Sequence, residues 1–329
     1  MSMSVLMQLL VLLAVVVLGY GAGRRRWLGP TEQDPARVLS QAALYLFIPA
    51  LLFRTLARLD LHQLPWSTLA VFFGPVGVLM LVLYAHTRRR LAHQPAAAGT
   101  RALAGGFGNT VQVGIPMASA MFGETGLGLH LTIVSLHALI LLTLVTTLTE
   151  FDLARHRQDQ GGRPQPLTRV LGMTAVRTVL HPVVLPILAG MAWNLTGLPL
   201  PAVADDLLRL LGQAVVPLCL LLVGMSLAYD RVTGGWPVVL ALSAVKLLVL
   251  PAAVLATARW GVGLDGLPLQ VVVMAAALPT GANALIFSQR YRTLQTEAAA
   301  VNVVSTLAFG LTAPLWLLVL QAVAPLGPG

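Results

Sequence analysis

The chain has 329 residues, of which 57% are hydrophobic and only 10% charged, and its mean hydropathy is +0.81. A water-soluble domain carries roughly 25% charged residues, so this composition excludes a soluble enzyme, a disordered regulator and a secreted disulfide scaffold. The 21 Lys and Arg against 12 Asp and Glu leave a net charge of +9. In so apolar a chain that surplus points to basic cytoplasmic loops rather than to nucleic acid. Cys219 is the one cysteine and lies in an apolar run, which rules out an intrachain disulfide and argues against a thiolate metal site.

A helix that crosses a bilayer needs about 20 mostly apolar residues. In chain order, runs of that kind lie at Val5–Tyr20, Val38–Leu56, Thr68–Ala85, Ala102–Met121 and Leu127–Leu148. Five more follow at Leu171–Trp193, Leu207–Ala228, Trp236–Ala258, Leu267–Phe287 and Ala298–Leu320. The first run has no basic segment before it and is followed by Arg24–Arg25–Arg26, which is not the pattern of a cleaved signal peptide. Arginines crowd the first, third and fifth connections: Arg24, Arg25, Arg26 and Arg37, then Arg88, Arg89, Arg90 and Arg101, then Arg155, Arg157, Arg163 and Arg169. Arg231, Arg290 and Arg292 fall in the seventh and ninth, whereas the even connections hold only Arg58 and Arg259. The positive-inside rule therefore puts the odd connections in the cytoplasm and both termini on the extracytoplasmic side. Glu150–Val170 reads as a polar cytoplasmic linker at mid-chain.

The two halves echo each other. Pro49 in LFIPALLF corresponds to Pro217 in VVPLCLLL, Pro116 to Pro279, and Ser135 in TIVSLHA to Ser305 in NVVSTLA. Five spans per half is an odd number, so the second half enters the membrane from the opposite side. That is the inverted-repeat plan of secondary transporters, whose substrate sits near the midplane. The competing explanation is that apolar helices resemble one another by composition.

The fourth span contains GGFGNTVQVGIPMASAMFG and the ninth ALPTGANALIFSQRY. Each sets Gly, Pro and Asn in the middle of a span. Proline lacks an amide donor and clashes with the preceding turn, and irregular backbone at membrane depth survives only inside protein or along a wet cavity. Pro116 and Pro279 are therefore expected each to begin a half-helix, since proline suits the first helical position. The amino end of such a half-helix carries roughly half a positive charge and free N–H groups, and two such ends make a cradle for a carboxylate. The plainer alternative is a pair of ordinary proline kinks.

NTVQVGIPMASAMFG (Asn109–Gly123) and AAALPTGANALIFSQRY (Ala275–Tyr291) resemble the two crossover helices of the auxin efflux carrier family. Gly19–Phe53 is similar to the first two helices of its plant PIN-type members. The resemblance implies an all-α membrane protein of ten helices in two inverted repeats, a homodimer, and an elevator-type carrier of organic anions such as indole-3-acetate or, in some bacterial members, dicarboxylates. It implies a scaffold from residues 1–60 and 171–230, a transport part from 61–149 and 231–329, and the linker at 150–170. Asn109 matches the family's substrate-contacting asparagine, and Pro116 and Pro279 its crossover prolines. The short linker departs from the long loop of plant members, so their phosphorylation control does not carry over. The third span lacks the Asp and Lys that plant members place there.

Lys246, the only lysine, sits at the centre of the eighth span, about 15 Å from either interface at 1.5 Å per residue. A central lysine is costly in a bilayer, so it is expected to face protein. It either replaces the missing lysine of the third span, the repeat partner of the eighth, or bonds carbonyls freed near Pro251. Asn283, about one turn beyond Pro279, is placed to bond substrate or the unwound backbone of the fourth span, and Gln112 lies in that unwound stretch. His137 contacts substrate, relays protons or bonds between helices. Asn302, Ser305, Thr132 and Ser135 read as glue between helices.

Asn109, Gln112, Pro116, His137, Lys246, Pro279, Thr280 and Asn283 make up the candidate substrate-binding set. No Asp or Glu falls in the middle of a span, although a cation antiporter would need one there. HExxH, GxSxG and P-loop motifs are absent, so neither an enzyme nor a cofactor is expected. The leading reading is electrogenic export of an organic carboxylate across the inner membrane. Its alternatives are an ion-coupled dicarboxylate permease and a receptor or scaffold that binds an anion without moving it.

Overall fold

The computed structural model describes residues 3–29, 35–58, 66–159, 172, 176, 179–180, 182–229 and 235–323. Its elements are helices α1 (Met3–Arg24), α2 (Pro35–Arg58), α3 (Trp66–Arg90), α4 (Pro95–Gly106), α5 (Gly114–Asp159) and α6 (Val184–Leu195). They continue with α7 (Ala202–Gln213), α8 (Val215–Tyr229), α9 (Trp236–Gly261), α10 (Gly266–Ala277), α11 (Asn283–Tyr291) and α12 (Gln295–Val323). Among the described residues there is no strand beyond one isolated bridge. Among the described residues six helical segments are long and apolar enough to cross a membrane, and α6 and α10 are shorter apolar helices. Most of the expected linker, from residue 160 on, and the first part of the sixth expected span lie outside the described residues.

The chain divides into two compact units. The first comprises Met1–Pro65, Thr110–Leu136 and Leu180–Asp230. Its core is built where α2 (Ile48, Leu52, Leu56), α5 (Ile115, Leu131, Val134), α6 (Ile187) and α8 (Val215, Cys219, Leu222) bury their apolar faces together. α1 and α8 approach so closely that a Cβ on Gly19 would strike the Leu221 carbonyl and one on Gly224 the Val16 carbonyl. Arg54 on α2 pairs through Nε with Asp205 on α7 at 2.8 Å, and Asn194 at the end of α6 donates to the carbonyls of Leu56 and Ala57. Within α5, Gly123 takes φ 61, ψ −161. A side chain is strained at that positive φ, so a single glycine turns the chain between the fourth and fifth expected spans.

The second unit comprises Trp66–Asn109, His137–Val179 and Arg231–Gly329. α5 runs on to Asp159, so the first residues of the expected linker, from Glu150, are helical. Glycine and proline are absent from that stretch until Gly161, and the carboxylates of Glu150 and Asp152 are satisfied. Asp152 accepts from the Tyr84 hydroxyl at 2.7 Å and pairs with Arg88 at 3.0 Å, while Glu150 accepts from Tyr291 at 2.7 Å. Arg101 on α4 grips Glu297 on α12 with two bonds of 2.7 and 2.8 Å.

Both units contain a π-turn just ahead of a helical proline: Ala43–Phe47 before Pro49, and Val245–Val249 before Pro251. Proline offers no amide to the carbonyl four residues back and crowds it, and the wider turn accommodates the mismatch. At Pro251 the carbonyl so deprived is that of Leu247, and the indole Nε1 of Trp316 on α12 donates to it at 2.7 Å.

Candidate functional site: a crossing of two interrupted helices

Within the second unit, α4 stops at Gly106 and the chain leaves in extended form through Phe107 (φ −87, ψ 109). α10 stops at Ala277, and Leu278 (φ −56, ψ 148) turns the chain the same way. The two extended segments pair with each other. Asn109 N–H donates to the Pro279 carbonyl at 2.7 Å and Gly281 N–H to the Phe107 carbonyl at 2.9 Å, forming an antiparallel bridge between Gly108 and Thr280. Two interruptions thus satisfy each other's backbone, which a buried irregular segment must do somehow.

The rest of the accounting follows from Pro279. It has no amide for the Ala275 carbonyl. The next amide, of Thr280, is drawn away to Ser305 Oγ on α12 at 3.0 Å, which leaves the Ala276 carbonyl without its helical donor. Lys246 Nζ supplies one at 2.6 Å. Thr280 Oγ1 donates to the Ala104 carbonyl at 2.7 Å, and Asn302 Nδ2 donates to the Thr280 carbonyl at 3.0 Å. Thr280 is fully buried with amide, carbonyl and hydroxyl all engaged. Asn302 and Ser305 are glue of a specific kind, capping the interruption in the ninth span. Thr132 and Ser135 are not: their hydroxyls bond the carbonyls of Gly128 and Thr132 within their own helix.

Lys246 is likewise fully buried. The carbonyl freed by Pro251 is occupied by Trp316, so the expectation that Lys246 serves carbonyls near Pro251 is corrected: it reaches the interruption after α10 instead. Its ammonium lies 3.5 Å from where a Cβ on Gly108 would stand. His137 is buried with its ring 4.2 Å from that of Phe107 and 6.0 Å from that of Phe72, against the extended segment leaving α4.

Asn109 and Asn283 are half-buried, and Ala282 between the bridge and α11 is exposed. Asn283 is the first residue of α11. Pro279 therefore does not open the half-helix, because it is held in the extended pairing and the helix resumes four residues later. Pro116 does not open its half-helix either. α5 starts at Gly114, and its first turn is entered through bonds from Ile115 to the Val111 carbonyl and Met117 to the Val113 carbonyl.

Of the eight candidate residues, Asn109, His137, Lys246, Pro279, Thr280 and Asn283 belong to the second unit, while Gln112 and Pro116 belong to the first. Gln112 lies in the turn Thr110–Val113 before α5. His130 of the first unit, which composition alone did not single out, stands with Nε2 2.8 Å from the Thr110 carbonyl. Its signal was its place two turns ahead of His137 on one helix. Phe107, Gly281 and Trp316 also escaped notice, since a phenyl ring, a glycine and an indole in a span look like packing.

α4 and α10 aim their carboxyl ends, each worth roughly half a negative charge, at the bridge, and α11 leaves it by its positive amino end. Among the described residues no group of three or more His, Cys, Asp or Glu could hold a metal ion. The polar groups at the crossing are amides, carbonyls, carboxamides, the hydroxyls of Thr280 and Ser305 and one amine, with the hydroxyls and amine held by main-chain groups, which suits the crossing to binding rather than to making and breaking bonds.

The family model described as "Membrane transport protein" matches residues 4–317. A Rhizobium meliloti protein named "Putative malonate transporter" is 25% identical over 82% of this chain and 82% of its own length. The "Uncharacterized transporter YfdV" of Escherichia coli is 25% identical over 96% of this chain and 98% of its own. "Auxin efflux carrier component 5" of Arabidopsis thaliana is 21% identical over 85% and 86%. This is a multi-pass membrane transporter, not an enzyme, and the chain belongs to the membrane transport family that includes the auxin efflux carriers.

Proposed function

We propose that the protein is a secondary transporter that exports an organic carboxylate, with the substrate's negative charge received beside the Gly108–Thr280 crossing. The observation that carries this reading is the mutual pairing of the two interrupted segments, Asn109 N–H to Pro279 and Gly281 N–H to Phe107. That pairing supports a preformed, electropositive helix start at Asn283 with two carboxamides, Asn109 and Asn283, near it. A helix amino end with donors of this kind favours an anion. Gln112 and Pro116 are kept as substrate contacts on the motif alone, and Thr280 and Pro279 as the backbone that shapes the site.

In this reading the ten expected spans form two inverted repeats, residues 1–60 and 171–230 act as a scaffold, and 61–149 and 231–329 carry substrate in an elevator-type movement within a homodimer. The protein lies in the bacterial inner membrane with both termini outside. A membrane potential supplies about 2.3 kcal/mol per charge per 100 mV, roughly a fifty-fold gradient for a monoanion leaving a negative cytoplasm. Export then needs no coupling ion, in keeping with spans that hold no central carboxylate.

The second reading is an ion-coupled dicarboxylate permease, favoured by the name of the Rhizobium meliloti relative. Solid-supported membrane currents from proteoliposomes, scanned over aromatic and aliphatic carboxylates, test both. Electrogenic, sodium-independent current supports export of a monoanion, and sodium-dependent malonate current supports the permease. Saturable binding without current would leave a receptor. Asn109→Ala is expected to abolish the current in a protein that still elutes as a folded species, and wild-type current from that variant would remove Asn109 from the site.

A further inference from the structure

We propose that Lys246 is a built-in cation for the helix crossing, filling the place where two helix carboxyl ends would otherwise call for a bound alkali ion, so that this chain carries its anion without a coupling metal cation. The inference deepens the proposed function and rests on it for its transport arm alone.

Three observations converge. First, α4 ends at Gly106 and α10 at Ala277, and their carboxyl ends meet at the Gly108–Thr280 bridge. Two partial negative charges of like sign are brought together there. Second, the interruption deprives the Ala275 and Ala276 carbonyls of their helical donors, and the fully buried Nζ of Lys246 lies 2.6 Å from the Ala276 oxygen. The open face of Gly108 leaves room for the ammonium, and the Ala275 oxygen lies 3.7 Å from the same point on Gly108. Third, neutral donors serve the neighbouring orphans. Thr280 bonds the Ala104 carbonyl, Asn302 the Thr280 carbonyl and Trp316 the Leu247 carbonyl. Where the two carboxyl ends converge the donor is instead an amine, a group that can carry a full positive charge. Among the described residues no ion pair involves Lys246, and its bonded partner is the Ala276 main-chain oxygen, the ligand type that hard cations take.

The test compares wild type with Lys246→Met, which keeps most of the stem, and Lys246→Ala, which opens space for a small cation. Purified protein in detergent is melted in N-methylglucamine, sodium, potassium, lithium or ethylammonium chloride at one ionic strength. Wild type is expected to melt at the same temperature in all five. Lys246→Ala is expected to melt lower in N-methylglucamine and to recover saturably in one of the small cations, by about 3 °C or more, as a ligand bound to the folded state requires. Lys246→Met, with its cavity filled, is expected to melt lower and not to recover. In proteoliposomes, wild-type malonate or indole-3-acetate currents should be equal in sodium and N-methylglucamine, and Lys246→Ala currents should fall about tenfold or more and return with the same cation.

A wild-type protein stabilised by sodium, or a Lys246→Ala protein that melts like wild type or that no small cation restores, overturns the proposal. If neither variant can be purified folded, the wild-type cation series still decides it. Absence of any carboxylate current from wild type would sink the transport reading while the melting series continued to judge Lys246.

Discussion

The amide of Gly281 donates to the carbonyl of Phe107 at 2.9 Å, and the close approach this requires leaves tight quarters for a side chain at Gly281. A Cβ there would stand 3.0 Å from the Gly108 carbonyl oxygen and 3.1 Å from Phe107 Cδ1. On the opposite strand of the bridge, a Cβ at Gly108 would meet only ordinary contacts, the nearest being Lys246 Nζ at 3.5 Å.

Gly281→Ala and Gly108→Ala should therefore part company, although both put a methyl group into the same bridge. Overpacking against backbone costs about 1–3 kcal/mol, so Gly281→Ala is expected to lower the melting midpoint and to weaken transport by spreading the crossing. Gly108→Ala, at a position without positive φ, should melt at or slightly above wild type, because fewer unfolded conformations are lost on folding. Equal losses from both would mean that the two segments are not paired in this register.

The carboxamide of Asn302 provides a second probe of the same interruption. Its Nδ2 holds the Thr280 carbonyl at 3.0 Å. Asn302→Leu fills similar volume but leaves that carbonyl without its side-chain donor, at a cost of about 1–3 kcal/mol. Asn302→Asp keeps the shape and turns the donor into a second acceptor facing the first, so it should be worse than leucine at neutral pH. The melting order expected is wild type, Asn302→Leu, Asn302→Asp, and the reverse order of the two variants would show that Asn302 matters by packing.

The two helix interruptions are legible in the sequence. The coincidence of Gly, Pro and Asn in the fourth and ninth spans located both interruptions, because proline's missing amide and the hydrophobic surroundings leave few alternatives. What could not be read was where the freed backbone groups go. Pro116 and Pro279 look like helix starts when only local preference is considered. Pairing across a separation of well over a hundred residues holds Pro279 in extended form, and local spacing carries no trace of that. Lys246 was recognisable as a buried oddity, yet its partner depended on Trp316 having already taken the carbonyl near Pro251, a contact between spans eight and ten. The helical continuation to Asp159 was hidden for a similar reason: Asp152 looks like the start of a polar loop until Tyr84 and Arg88 are seen to bond it.

Trp316 and Pro251 give the most direct test of that chain of substitutions. Trp316→Phe removes the Nε1 donor from the Leu247 carbonyl, which lies in the π-turn and has lost its helical amide to Pro251. An orphaned buried carbonyl costs about 1–3 kcal/mol. Pro251→Ala restores an amide at the position from which an ordinary helix would bond Leu247. In that background the indole is no longer the sole donor available, so Trp316→Phe should be cheaper there than in the wild type. The two substitutions are thus expected to be non-additive by about 1 kcal/mol, within the range seen for groups sharing one hydrogen-bond network. The double-mutant cycle is read from denaturant or thermal midpoints in detergent. Strict additivity would show that the indole stabilises α12 by its bulk, with the bond to Leu247 contributing nothing measurable.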